Sequence, residues 1–404
     1  MINTGDTAWI ITATALVLLM TIPALALFYG GLVQAKNILS VLVQCFAVAC
    51  VASVLWFLCG YSLTFSGTGP WIGDLNELLL QSVERGAVHP GLHIPESVFV
   101  MYEMTFAAIT PALIIGAYVE RIKFSAVLLI SSLWLLLVYV PVAHWVWGGG
   151  FMAAQGALDF AGGIVVHVTA GVSAVVIAVM LGSRHEFPHG IRPPHAPWMV
   201  MVGASLLWVG WFGFNAGSAL SAGADAGMAL LATHLAAATA TLVWMAIEWI
   251  KFGKPSLVGA VTGTIAGLAS ITPASGYVGP LAAVLLGALA SGICFVAVLL
   301  VKRVWQVDDA LDVLGVHGVG GALGSLLLPF LTILPGGVAL KLSVGAQFGV
   351  QATAVVITAI WSIVMTVAIT KLAAWTVGLR VDKESETVGL DFHAHGETGY
   401  HVNR

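Results

Sequence analysis

Two histidines sit inside apolar stretches long enough to cross a membrane, and their placement constrains this chain more than any other feature. His167 closes the run Asp159-Phe-Ala-Gly-Gly-Ile-Val-Val-His167, and His317 lies in Asp312-Val-Leu-Gly-Val-His317-Gly. Each follows an aspartate and a glycine at the start of an apolar segment. An ionisable side chain within hydrocarbon is costly and marks a functional site by default. The same pattern occurring twice asks for a common explanation.

Composition sets the class. Of 404 residues, 59% are hydrophobic and 8% charged, against about 25% charged in a soluble domain. This is an all-α polytopic membrane protein and not a soluble enzyme or a nucleic-acid binder; its net charge of −4 says little about partners. Cys45, Cys50, Cys59 and Cys294 lie in apolar runs without metal-ligand spacing and read as small buried hydrophobes. No basic stretch precedes the first apolar run, so no cleaved signal peptide is visible in this sequence, which leaves open one removed beforehand. Eleven segments are long enough to span a bilayer: 8–32, 38–65, 97–119, 124–147, 162–182, 197–219, 226–250, 257–273, 279–301, 311–334 and 343–378. The eighth is short and the last long.

Basic residues orient the chain. Thirteen lysines and arginines fall in alternate loops or in and near the tail, including Lys36, Arg121, Arg184, Lys302 and Arg380; only Arg85 and Lys341 fall on the other side. The positive-inside rule then predicts the N-terminus outside and the C-terminus in the cytoplasm, which an odd number of spans permits. Segments 1–5 (about 1–183) and 6–10 (about 197–334) form an inverted repeat in this reading. Segment 11 is peripheral within a membrane domain over 1–378, and 379–404 is a cytoplasmic tail. His167 and His317 then occupy the last segment of each half. Each aspartate is expected to cap its helix. Each histidine, however, is only about six residues in, or roughly 9 Å. The two meet only if both helices begin below the surface, where the irregular backbone rich in glycine must be buried in protein.

The plainer reading of the pair is two structural histidines joining helices. His144 and His234 are expected near the outer segment ends and His89 and His93 in an outer loop. His185, His189, His195, His393, His395 and His401 are expected to be cytoplasmic and solvated. Trp147, Trp208, Trp211, Phe214 and Ser218, together with Tyr102 and Phe106 at i and i+4, fall towards the outer ends of segments 3, 4 and 6. They form either an interfacial aromatic belt or a vestibule where tryptophan holds a cation over its face. Glu103 either raises the local cation concentration or faces a helix neighbour.

These residues carry a resemblance to the ammonium transporter (Amt/Mep/Rh) family, bacterial Amt branch. It runs from Phe28-Tyr-Gly-Gly-Leu-Val to the tail, through Thr110-Pro-Ala-Leu-Ile-Ile-Gly-Ala, His144-Trp-Val-Trp-Gly-Gly-Gly, Gly156-Ala-Leu-Asp-Phe-Ala-Gly-Gly-Ile-Val-Val-His167, Gly210-Trp-Phe-Gly-Phe-Asn-Ala-Gly-Ser218 and Asp312-Val-Leu-Gly-Val-His317-Gly. The resemblance implies a homotrimer with one pore per protomer in the bacterial inner membrane, without cofactor, metal or enzymatic activity. It implies an outer substrate-binding site of Trp147, Phe106, Ser218 and Tyr102 supported by Asp159, and a gate of Phe106 and Phe214. It implies a pore lined by His167, His317, Trp211 and Val313. The tail, from Gly378-Leu-Arg to His395-Gly-Glu-Thr-Gly-Tyr400, resembles a region next to which a PII-type signalling protein docks. The loops around Arg121, Arg184 and Lys302 are expected to be part of the docking surface.

Given the substrate that the resemblance implies, a physical mechanism stands beside it. A bare ammonium ion entering an apolar tube loses hydration worth several kcal/mol, and a cation–π contact returns only about 0.5–2 kcal/mol. The ion is therefore expected to be held at the mouth and deprotonated, while neutral ammonia (or methylamine from the analogue methylammonium) crosses past imidazoles that donate, accept or relay protons. Two alternatives stand beside this one. The first is an ammonium sensor that conducts little, against which the short tail argues. The second is a membrane redox protein with His167 and His317 as haem ligands.

Overall fold

A computed structural model describes residues 1–400. Ten helices are long and apolar enough to cross a membrane: α1 (Thr4–Leu32), α2 (Ala35–Phe65), α3 (Glu96–Tyr118), α4 (Phe124–Ala154), α5 (Gly163–Leu181), α6 (Pro197–Gly217), α7 (Ala224–Phe252), α9 (Pro280–Val304), α10 (Leu314–Leu331) and α11 (Val344–Thr376). The eighth segment forms the shorter apolar helix α8 (Leu257–Ile271). Each apolar run anticipated from the sequence is thus a helix, as it must be where no water is present to satisfy backbone N–H and C=O groups. Among the described residues there is no strand, only two isolated bridges, Val88 with Pro95 and Ile122 with Arg380.

The helices surround a central crossing of α5 and α10, with α11 packed outside α4, α5 and α10. Glycine makes that crossing close. A Cβ at Gly171 would lie 2.3 Å from Gly318 Cα, and one at Gly321 would lie 2.5 Å from the Gly163 carbonyl oxygen and 2.7 Å from His167 Cβ. Small residues at such contacts let helices gain packing where no hydrophobic force separates protein from lipid.

Both central helices begin inside the protein. The chain dives between α4 and α5 and turns at Gly162, whose φ of 108° is left-handed. Asp159 is buried there, and its two carboxylate oxygens accept from the backbone N–H groups of Gly162, Gly163, Ile164 and Val165 at 2.6–3.0 Å. The expected capping role holds for Asp159 but not for Asp312. At α10 the buried Asp309 accepts from the Leu314 N–H at 2.8 Å, and burial pushes its carboxyl up to about 6, with Asp312 adding to the rise. Asp312 adopts a left-handed φ of 63° and turns outward to pair with Lys302 at 2.7 Å.

The basic face of the molecule is built differently from its sequence expectation. Arg121, read as a loop cation, is buried, and Arg184, read likewise, is part-exposed but held among the loop carboxylates. Arg184 meets Asp308 and Glu120 at 2.7 Å each. Arg121 donates to the carbonyls of Gly182 at 2.8 Å and Asp308 at 2.6 Å. Burial pushes the Asp308 carboxyl up, but Arg184 and Arg121 outweigh that and hold it below the usual carboxylate range. Burial in turn brings Arg121 down to about 10.

The tail is also ordered, as α12 (Lys383–Val388) and α13 (Leu390–His395). Lys36 donates to the carbonyls of Glu386 and Thr387 at 3.1 and 2.6 Å, and Asp391 accepts from the Ser40 N–H at 2.8 Å. His195, expected to be solvated, bonds the Val33 carbonyl at 2.7 Å and the Tyr400 hydroxyl at 2.9 Å. His395 is only part-exposed and its Nε2 is buried; His401 lies outside the described residues. Cys45 and Cys294 are buried as expected, whereas Cys50 is exposed on the surface of α2.

The crossing gives a direct test. The atom facing Gly171 is backbone, so no rotamer change can absorb an added methyl. Gly171→Ala is expected to cost about 1–3 kcal/mol and to lower the melting temperature followed by tryptophan fluorescence. Gly345→Ala, whose Cβ meets nothing within 4 Å, is expected to leave it unchanged or slightly raised.

Candidate functional site

The anticipated aromatic and polar residues converge at one end of the α5–α10 crossing. Tyr102 and Phe106 project from one face of α3, with ring centroids 5.2 Å apart. Phe214, from α6, lies against Phe106 at 4.3 Å with planes 31° apart. Trp147 stands edge-on to Phe106 at 5.9 Å, and its indole N–H donates to the Asp159 carbonyl at 2.9 Å. The Ser218 hydroxyl donates to the Phe214 carbonyl at 2.9 Å, which leaves its lone pairs free to accept. The Tyr102 hydroxyl lies 3.2 Å from Ser218 Oγ. Trp147 and Ser218 are part-exposed, while Tyr102, Phe106, Asp159 and Phe214 are buried. The result is a shallow mouth with one indole and one hydroxyl at its rim and two stacked phenyl rings across its floor.

Behind the rings the two histidines are in contact. His167 Nδ1 and His317 Nδ1 are 3.3 Å apart, with ring centroids at 5.2 Å and planes 24° apart. The depth difficulty is thereby removed, because each imidazole stands within five residues of a helix start that is itself submerged. An Nδ1–Nδ1 hydrogen bond fixes complementary tautomers. The ring that donates keeps a bare Nε2, and the ring that accepts carries its proton on Nε2. The two outward edges therefore differ, one an acceptor and the other a donor. His167 Nε2 is buried and meets no protein partner.

The passage is narrow beside this pair and wide beyond it. A cavity of about 10 Å³ runs alongside the histidine pair, from Phe214 past Ile109, Leu113, Val166 and Leu207 to Phe28 and Ile265, which also line the vestibule; its volume is at the lower limit for one water. Beyond His317 opens a vestibule of about 300 Å³ with Lys36, Glu120, Arg184, Lys302 and Asp312 in its walls. The Trp211 ring lies 5.6 Å from His167, and its N–H donates to Thr272 Oγ1 at 2.9 Å. Val313 is instead fully buried beside Gly116, and Val316 faces the vestibule. Thr272 and the aliphatic walls escaped sequence reading, because an apolar residue in an apolar helix carries no signal of which cavity it faces.

Two further histidines are bonded within the protein. His144 is held by the carbonyls of Thr64 at 2.7 Å and Gly69 at 2.6 Å. His89 pairs with Glu96 at 2.7 Å. The haem alternative does not fit. Two ligating nitrogens must face one iron from opposite sides with a porphyrin between them. Here they are 3.3 Å apart beside a cavity of about 10 Å³.

Comparison with known proteins agrees with this geometry. The model of the Ammonium Transporter Family matches residues 8–400. The chain is 45% identical to a putative ammonium transporter of Methanothermobacter thermautotrophicus over the full length of both. It is 43% identical to an ammonium transporter of Aquifex aeolicus, over 99% of this chain and 94% of that one. Among solved structures, a protein titled Sensor Amt Protein superposes with a TM-score of 0.91 at 27% identity, over 97% of this chain and 98% of that one. Mep2 of Candida albicans superposes at 0.87 and 34% identity, over 95% of this chain and 88% of that one. This chain belongs to the ammonium transporter family, a family of membrane transporters and channels.

Proposed function

We propose that the protein takes up ammonium across the cytoplasmic membrane of a bacterium, as a homotrimer with one conducting pore per protomer. The observation that carries this reading is the contact between His167 and His317 inside an apolar passage, between a stacked phenyl pair and a polar vestibule. The bias of basic residues, 13 to 2, puts the vestibule and tail in the cytoplasm and the aromatic mouth outside. Trp147 offers its π-face to the arriving cation and Ser218 an acceptor oxygen. Phe106 and Phe214 then exclude the hydrated ion, so the bound ammonium gives up a proton. Ammonia crosses past the imidazoles, whose unlike outward edges let it donate to one and accept from the other. It regains hydration and charge in the vestibule. Net proton transfer accompanies the cycle. Potassium has no proton to lose and meets the full desolvation penalty at the phenyl pair.

Three outcomes are expected. Trp147→Leu removes the cation-binding face. It should weaken ammonium binding roughly 2- to 30-fold, the loss of about 0.5–2 kcal/mol, and narrow the discrimination against methylammonium in competition assays. Unchanged competition would remove Trp147 from the recruitment site.

In planar bilayers, ammonium should drive a current through the wild type. Current should be lost, or selectivity over potassium should collapse, in His167→Ala and His317→Ala, with the trimer intact on gel filtration. An acidic residue at either position should turn the pore towards plain cation conduction, because a fixed negative charge stabilises the intact ion. Parental ammonium rates with potassium still excluded in both alanine variants would make the pair structural and sink this mechanism.

Finally, a PII-type protein is proposed to bind the cytoplasmic face. Because Arg121 and Arg184 are committed to internal ion pairs, the surface on offer is the part-exposed Lys302, the exposed Arg192 and the docked tail. A pull-down with the host's PII protein should retain it in at least one nucleotide state. Failure in every state would refute the docking.

A further inference from the structure

The proposed function requires ammonium to lose a proton at the mouth, and the inference drawn here rests on that reading: it identifies the acceptor. The acids and imidazoles of α3, of the turn before α5, and of α5 and α10 are of four kinds. Asp159 has both oxygens engaged by four backbone N–H groups. Glu96 has one oxygen bonded by the Tyr61 hydroxyl and the other by His89 Nδ1 at 2.7 Å. The two imidazoles lie behind the phenyl pair with their Nδ1 atoms turned to each other. The remaining one is Glu103, which is buried and whose Oε2 meets no partner.

Its place on α3 is informative. Glu103 follows Tyr102 and precedes Phe106 by three residues, so it stands roughly 60° round the helix from Phe106 and 100° from Tyr102. It therefore flanks the face that builds the mouth. Three tyrosines lie within electrostatic reach of it, Tyr102 on its own helix, Tyr61 from α2 and Tyr139 from α4, and none of them hydrogen-bonds its Oε2. Tyr61 is committed to Glu96, while Tyr102 bonds the Gly213 and Phe214 carbonyls at 3.0 Å. The fully buried Tyr139 hydroxyl is unpartnered and is the one free to steady a carboxylate. Glu77 and His89 are charge neighbours of Glu96, and among the described residues no cation pairs with Glu103. An anionic carboxylate in such a place lacks a counterion, and the arriving ammonium supplies one.

We propose that Glu103 accepts the proton that ammonium loses at the pore mouth. An N–H bond of the ion breaks and an O–H bond forms at Oε2, directly or through one water. Neutral ammonia moves past Phe106 and Phe214, and Oε2 then passes its proton inward through water to the relaying imidazoles, which restores the carboxylate and carries the charge to the vestibule, where ammonia is reprotonated.

The test compares the wild type, Glu103→Gln and Glu103→Asp in proteoliposomes, with trimer integrity checked by gel filtration. Removing a general base lowers a rate by on the order of 10²-fold. E103Q should lose ammonium uptake on that scale, whereas ammonia permeation at alkaline pH, where the substrate arrives already deprotonated, should stay within about twofold of the parent. E103D should recover uptake. Ammonium-induced infrared difference spectra should show a protonated carboxyl band in the wild type that E103Q lacks. Parental uptake by E103Q, an equal fall of both fluxes, or the same carboxyl band in both proteins would overturn the assignment. A wild type that moves neither ammonium nor ammonia would instead overturn the proposed function.

Discussion

The whole arrangement depends on one contact, the crossing of α5 and α10 through glycine. Gly171 against Gly318 and Gly163 against Gly321 bring two backbones nearer than any side chain would permit. That approach is what puts two imidazoles within hydrogen-bonding distance in the interior. Once there, each satisfies one nitrogen on the other, which limits the penalty of burying polar atoms in an apolar passage. The phenyl pair, the indole of Trp211 and the aliphatic walls then form the remaining boundary of the passage.

Submerging two helix starts creates a second demand. The first turn of each helix has N–H groups without intrahelical acceptors, and within a bilayer water does not supply them. Asp159 answers this with both oxygens, on the side of the mouth, and its backbone carbonyl holds the Trp147 indole. One residue thus ties the start of the histidine helix to Trp147 at the rim of the mouth. On the vestibule side the same task falls to Asp309, while Asp312 stays part-exposed and paired with Lys302. The two ends solve one problem with carboxylates at different offsets from the histidine.

That difference marks the limit of what the sequence could reveal. Helix number, span boundaries and the membrane class follow from apolar run length, which a bilayer enforces strongly. The twin histidines and the residues of the mouth were legible because polar groups in such runs are rare. The choice between Asp309 and Asp312 was not legible, because both precede α10 and only the left-handed turn at Asp312 decides which one points inward. The burial of Arg121 and the pairing of Arg184 were hidden for a related reason. A loop arginine looks solvated until loops far apart in the chain assemble its carboxylate partners, here Glu120 and Asp308. The tail's polar composition likewise concealed two docked helices held by Lys36, Asn37 and Ser40.

The two sides of the passage differ in a way that bears on mechanism. The mouth is closed by rings in contact, and the cavity behind it holds at most about one water. The vestibule is some thirtyfold larger and walled by charges of both signs. A species crossing this structure is therefore stripped abruptly and rehydrated gradually. An abrupt strip penalises any ion that cannot shed its charge, and the proposed mechanism therefore puts the chemical decision at Phe106 and Phe214, before the histidines are reached. The imidazoles act after that decision. Their contact can hold and orient a neutral, hydrogen-bonding molecule, but it follows the step at which ammonium is separated from potassium.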